Sequence, residues 1–204
     1  MIRALEEYLR SEVSLKRYLH SLRVANTVVL LCERFDLPAG EGWTAGMAHD
    51  IAREWDPQQL MEYARRDGYG ISPEESRVPL LLHGRAAAAE LQSRYGERRE
   101  TVLQAVRWHT TGHPDMGSLG MALYCADYIE PGRPHIDRHE YERLMRSASM
   151  EEMTLTILNT EIERMHDLAR PVIDHTYALR SMLVQRIKRG AAVPGKAGME
   201  SELK

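Results

Sequence analysis

Five apolar helical stretches of this chain each carry an imidazole or a carboxylate, and that pattern limits the fold more than any other feature. The residues are His20, the pair His49-Asp50, His83, His109 and Asp127. Burying such groups is costly unless they find partners. If the five stretches pack face to face, their polar residues must meet. The sharpest case is Ala45-Gly46-Met47-Ala48-His49-Asp50, where small and apolar residues end abruptly in two metal-ligand types. Small residues let neighbouring helices come close. Adjacent helical residues point about 100° apart, so one ion would require His49 and Asp50 to reach across a helix edge.

The elements follow from apolar spacing and breakers. Residues 2–11 read as a short amphipathic helix, and Ser14 caps a helix over 15–35. Pro38, Gly40 and Gly42 read as a break. A helix then carries Trp43 to Ile51 and stops near Arg53 to Asp56. Pro57 opens a helix over 57–66. Residues 67–76, with Gly68, Gly70, Ser72 and Pro73, read as a surface loop. Pro79 opens a long helix to Tyr95, whose alanine run Ala86–Ala89 permits close packing near His83. Further helices are expected over 97–109, 117–130 and 137–147. A long segment over 151–188 should break or kink at Pro171. No alternation calls for a sheet, so the expected fold is all-α, a compact helical bundle. The expected organisation is an N-terminal helix over 1–13, a helical domain over 14–188 and a flexible tail over 189–204.

A chain of 204 residues, 43% hydrophobic, can bury one substantial core. A net charge of -3 argues against broad electrostatic binding of nucleic acid. No apolar run reaches the ~20 residues needed to span a bilayer, and no signal peptide is visible. The expectation is therefore a cytoplasmic protein with no membrane and no nucleic-acid partner. Cys32 and Cys125 sit in apolar helical context and read as buried thiols.

Each polar residue also has an ordinary reading when taken alone. His20 could be a core histidine bonded to a carbonyl, and Asp127 an exposed or helix-paired carboxylate. The turn His109-Thr110-Thr111-Gly112-His113-Pro114 could be a plain helix end, although its hydroxyls, amides and glycine suit an anion. Alone, Arg53 reads as a solvated helix-end charge and Arg133 as a loop residue. Taken together, imidazoles and carboxylates suit iron, manganese or zinc. Asp50 has two oxygens and can bridge two ions. Two ions about 4 Å apart can activate water and stabilise charge on phosphorus.

The order His20, His49-Asp50, Asp127 resembles the HD superfamily of metal-dependent phosphohydrolases. His83-Gly84, His109-Thr110-Thr111-Gly112 and Ala126-Asp127-Tyr128-Ile129-Glu130-Pro131-Gly132-Arg133 make the chain similar to the bacterial symmetrical bis(5′-nucleosyl)-tetraphosphatases of the YqeK-like group. The resemblance covers roughly residues 14–185. It implies an HD-type bundle in which His20, His49, Asp50 and Asp127 hold one metal ion. His83 and His109 would hold a second, with Asp50 shared. The ions would be divalent or mixed-valence, iron first, with manganese or zinc as alternatives. The implied reaction is cleavage of diadenosine tetraphosphate into two ADP by metal-activated water. Asp50, Arg53 and Arg133 take catalytic roles, and Arg53, Thr110, Thr111, Gly112 and Arg133 lie near phosphate or nucleotide. The implied ligands are a dinucleoside polyphosphate or a nucleoside diphosphate, and a homodimer is one candidate assembly. Arg53 stands where lysine is common in the family, which replaces a point charge by a planar fork. The segment Pro134-His135-Ile136-Asp137 is more polar than expected beside a nucleobase. Other readings are an HD phosphohydrolase for a different nucleotide, a nucleotide-binding regulator with a structural metal, and a dimetal HD oxygenase. Outside the set, His113 and His135 lie in loops beside the proposed site. His139, His166 and His175 read as surface or packing residues.

Overall fold

The computed structural model describes residues 2–191, which form α-helices and short 3-10 turns with no strand among them. In chain order the helices are α1 (Ile2–Glu12), α2 (Leu15–Arg34), α3 (Ala39–Ala48), α4 (Pro57–Ala64) and α5 (Pro73–Arg77). They continue with α6 (His83–Ser93), α7 (Glu100–Trp108), α8 (Gly117–Ile129), α9 (Arg138–Leu144), α10 (Met150–Asp167) and α11 (Asp174–Ala191). The expected all-α bundle is the observed one.

Helix α8 is the axis of the core. Its residues Leu119, Met121, Leu123, Cys125, Ala126 and Ile129 are all buried. A helix apolar on nearly every side must be enclosed by others, and α2, α3, α7 and α10 pack around it. The α2–α3 contact is the most extensive, because Gly46 presents no side chain there. A Cβ on Gly46 would lie 2.5 Å from the Ala25 Cα. The buried thiols Cys32 and Cys125 are free, as expected.

Local differences from the sequence reading have identifiable causes. Gly40 and Gly42 do not break the chain but lie inside α3. Only Pro38 marks the boundary, and Gly42 packs against Val28 and Cys32, where a larger residue would clash. The expected surface loop 67–76 contains α5, started by a reciprocal capping box between Ser72 and Glu75. Pro79 opens a 3-10 turn, Pro79–Leu82, and α6 begins only at His83. The break expected at Pro171 is present, since α10 and α11 are separated by residues 168–173, which include Ala169 at φ 50 and Pro171. Helix α11 runs to Ala191, with Lys188 and Arg189 in its last turn, where positive charge suits the helix dipole. The rest of the expected tail, 192–204, lies outside the described residues.

Candidate metal centre

Four of the five helical stretches deliver their polar residues at or near a helix end, where a side chain can leave the bundle packing. His49 closes α3 and Asp50 starts the tight turn after it. His83 opens α6, His109 closes α7, and Asp127 lies in the last turn of α8. His20 comes from the middle of α2. Gly84 allows the end of α7 to approach α6. A Cβ there would fall 2.8 Å from the Val106 carbonyl oxygen and 2.9 Å from His109 Nδ1.

The six residues meet in one cluster, of which five are buried and Asp127 is half-buried. His20 Nε2 lies 3.1 Å from Asp127 Oδ1 and 3.5 Å from Asp50 Oδ2. His49 Nε2 is 3.4 Å from the same Asp50 oxygen and 3.9 Å from Asp127 Oδ1. The other Asp50 oxygen, Oδ1, faces His83 Nε2 at 3.0 Å and His109 Nε2 at 3.8 Å. One carboxylate therefore faces two histidine pairs, one pair through each oxygen.

The outer ring nitrogens decide what the inner ones present. His49 Nδ1 is 2.7 Å from the Gly46 carbonyl, His83 Nδ1 is 2.6 Å from that of Leu80, and His109 Nδ1 is 2.8 Å from that of Val106. A carbonyl only accepts, so each Nδ1 carries the hydrogen and, in the neutral ring, each Nε2 offers a lone pair. His20 repeats the scheme with a carboxylate, its Nδ1 lying 3.2 Å from Glu130 Oε1. Those lone pairs then face one another. His20 and His49 Nε2 are 3.2 Å apart, and His83 and His109 Nε2 are 3.0 Å apart. Acceptor against acceptor is unfavourable unless a proton or a cation lies between them. The donor set thus fits first-row transition metals, with three groupings of ligand atoms close enough to share an ion: His20-His49-Asp50, His49-His109-Asp127 and Asp50-His83-His109.

The electrostatics agree. Burial alone would raise the Asp50 carboxyl, but the positive charge on His49 and the imidazoles of His109 and His83 facing it outweigh that and hold it well below its ordinary range. Burial would likewise raise Asp127, yet His20, His49 and Arg133 hold it low. Burial would lower His49, but Asp50, Asp127 and the Gly46 carbonyl outweigh that and keep it raised. The carboxylates thus create a field that demands positive charge. Burial pushes His109 down to about 4, which leaves it neutral as a ligand must be.

Arginines surround the cluster. Arg133 donates from Nε to the Asp127 carbonyl at 2.7 Å and pairs through Nη2 with the Asp127 carboxylate. Arg17 pairs with Asp50 Oδ2. Arg53 is half-buried and its pKa is lowered, first by burial, against the attraction of Asp50 and with the repulsion of Arg17. Thr110 places its hydroxyl 3.1 Å from His83 Nε2 and 3.3 Å from that of His109. Thr111 and Gly112 are not brought into this cluster. The Thr111 hydroxyl bonds His175 Nε2 at 2.9 Å, and its carbonyl accepts from Thr176 at 2.7 Å. Gly112, at φ 69, faces Leu179 so closely that a Cβ would lie 2.6 Å away. Both residues dock α11.

Two contributors went unnoticed in the sequence. Arg17 precedes His20 by one helical turn, on the same face, which is a readable signal. Glu130 also accepts from Arg23 and from the Gly132 N–H at 2.6 Å, so it fixes both His20 and the loop bearing Arg133. A cavity of about 720 Å³ opens from His109, Thr110 and Asp127 past Arg133 toward α10.

The HD domain family model matches residues 17–132. The chain belongs to the HD domain family. All six clustered residues lie within the matched part, whereas α9, α10 and α11 lie beyond it. One relative is a symmetrical bis(5′-nucleosyl)-tetraphosphatase of Staphylococcus aureus, 38% identical over 124 residues, covering 60% of this chain and 63% of that protein. A protein of the same name in Bacillus subtilis is 29% identical over 175 residues, covering 86% of this chain and 93% of its own length. The aligned stretch therefore spans under two thirds of the first relative and nearly all of the second. The crystal structure of an HD superfamily hydrolase from Clostridium acetobutylicum, described as involved in NAD metabolism, superposes with a TM-score of 0.83. It is 30% identical and covers 91% of this chain and 98% of that one. No helix among the described residues is long and apolar enough to cross a membrane.

Proposed function

We propose that this HD protein is a metal-dependent phosphohydrolase that cleaves diadenosine tetraphosphate symmetrically into two ADP. The observation that carries the reading is the division of labour on Asp50, whose two oxygens face two histidine pairs. His20, His49, Asp50 and Asp127 would hold one ion, and Asp50, His83 and His109 a second. Iron is the first choice, with manganese and zinc as alternatives. Such ions supply a water of lowered pKa and neutralise phosphate oxygens.

The chain's own residues do the rest. The Nδ1 hydrogen bonds hold each imidazole in the tautomer that offers Nε2, so no ligand has to reorient. Arg53 and Arg133 supply fixed forks for non-bridging phosphate oxygens, where charge shifts in the transition state. Arg17 sits on Asp50 and adds a third cation at the phosphate end. The Thr110 hydroxyl, beside His83 and His109, can donate to an oxygen held over that half of the site. The leaving group is a nucleoside diphosphate of low basicity, which relaxes the need for a strong general acid, and no acid is assigned.

The test is hydrolysis of diadenosine tetraphosphate by metal-replete protein in oxygen-18 water. ADP should be the sole product, with one labelled molecule in each pair. Formation of AMP plus ATP rejects symmetrical cleavage, and no turnover in protein shown to hold metal rejects the enzyme reading.

A further inference from the structure

The turn that follows α7 is held from two sides. His109 closes α7, with its Nδ1 2.8 Å from the Val106 carbonyl. Thr110 comes next and sets its hydroxyl 3.1 Å from His83 Nε2. From Thr111 onward the anchors belong to α11. Thr176 donates its hydroxyl to the Thr111 carbonyl at 2.7 Å, and His175 Nε2 lies 2.9 Å from the Thr111 hydroxyl. Gly112, at φ 69, presses on Leu179 with no room for a Cβ. Consecutive Cα atoms are only ~3.8 Å apart. Thr110 therefore stands between a residue fixed by its own helix and one fixed by a side chain 65 residues further along the chain.

Thr176 is the polar member of the face that α11 buries. Leu179 and Leu183 continue that face at helical spacing and are fully enclosed, and Thr176 is buried with them. Burying a hydroxyl is costly unless it is bonded, and an apolar side chain would serve packing alone. What the hydroxyl adds is direction, because it ties α11 to one carbonyl in the turn that carries Thr110. We propose that Thr176 is a positioning residue for Thr110, acting through Thr111. The proposal rests on the phosphohydrolase reading for its effect on turnover, since in that reading the Thr110 hydroxyl reaches a phosphate oxygen. Loosening the tie lets Thr110 drift, whereas His109 keeps its own anchor on Val106, so metal binding is spared. A misplacement of about 1 Å is enough to slow chemistry by up to about 100-fold. Helix α11 lies beyond the HD match at residues 17–132. A segment outside the metal-binding part thus aligns a group inside it.

Thr176→Val keeps the shape and removes the donor, and Thr176→Ser keeps the donor. In metal-replete protein Thr176→Val should lower kcat on diadenosine tetraphosphate by about 10–100-fold, with KM and metal content little changed. Thr176→Ser should restore the wild-type rate. The double variant Thr110→Val with Thr176→Val should be no slower than Thr110→Val alone, because both changes remove one effect. Losses that multiply mean a merely structural role and overturn the proposal. An unchanged kcat, or metal lost in step with activity, also overturns it. Hydrogen exchange reads the turn without any substrate. The Gly112 N–H donates to the Trp108 carbonyl at 2.8 Å, and its exchange should quicken in Thr176→Val but not in Thr176→Ser. Unchanged exchange overturns the positioning role whatever the activity. A metal-loaded wild type without turnover rejects the phosphohydrolase reading alone, and exchange at Gly112 then decides whether Thr176 holds the turn. Thr176→Ala serves the same comparisons if the valine variant does not fold.

Discussion

Two clusters of buried charge begin two residues apart on α6, and they follow opposite rules. Arg85, only 3% exposed, is the hub of the first. It donates to Asp67 at 2.8 and 2.7 Å, to Glu75 at 3.0 and 3.1 Å, and to the Gly70 carbonyl at 2.6 Å. Donors meet acceptors throughout. Burial would lower the Arg85 pKa, but Asp67 and Glu75 outweigh it and raise it. The second cluster, around Asp50, sets acceptors against acceptors. The first is complete in itself and holds α5 and the end of α4 against α6. The second is electrostatically unfinished and would be completed by cations. A buried polar cluster is thus better judged by whether its donors and acceptors match than by how much charge it contains.

The largest expected effect tests the unfinished cluster. Asp50→Ala removes the carboxylate that both histidine pairs face. Elemental analysis should find neither ion retained, and ADP release should fall to background. Retained turnover would remove the bridging role and with it the contrast between the clusters. Arg85→Met should do the reverse. It strands Asp67 and Glu75 in the interior, at a cost of about 3–5 kcal/mol in urea unfolding. The metal content of the folded fraction should not change. If metal is lost in proportion to stability, the two clusters are one unit.

Glu130 sharpens the comparison because it belongs to both kinds. Its oxygens accept from Arg23 and the Gly132 N–H, as in a completed network, while facing the His20 imidazole. Glu130→Gln keeps the shape but can present an amide N–H to His20 Nδ1. Affinity for the ion on the His20 side should fall by roughly 10–100-fold, while the His83–His109 side changes little. Metal titration followed by spectroscopy distinguishes the halves. Equal weakening of both would make Glu130 a general structural residue.

The difference between the clusters also explains what could be read from sequence. His20, His49, His83, His109 and Asp127 interrupt apolar helical stripes, so each is conspicuous where it stands. The bundle was legible for the same reason, because α2, α7 and α8 repeat their apolar residues at helical spacing. Asp67 and Glu75 offer no such signal. They sit among Gly68, Gly70, Ser72 and Pro73, a composition that reads as solvent-facing loop, and their partner is 18 and 10 residues away with no period linking them. Thr111 and Gly112 mislead in another way. They adjoin His109 and Thr110 in sequence, but the turn points them at α11, whose position no local pattern fixes.

The smallest effect comes where α11 docks, at a third group of polar residues only partly removed from water. His175 bonds Thr111 and lies edge-on to Trp108 at 5.3 Å and to His113 at 5.2 Å. Burial pushes its imidazole down to about 4. The neighbouring His113, Arg85 and the opposing acids Glu75 and Asp174 contribute less. Its folded pKa is below its ordinary value of 6.5, so between those values the unfolded chain binds a proton that the folded chain does not. Stability from this group is therefore full above about pH 6.5, declines as the pH falls, and is lost by about pH 4. Urea midpoints of His175→Gln should change less over that window than those of wild type. The histidines around Asp50 are common to both proteins, so whatever they contribute cancels in the difference. Parallel curves would mean that His175 is as free to take a proton in the bundle as in water, and that the α11 contact is looser than its hydrogen bond to Thr111 implies.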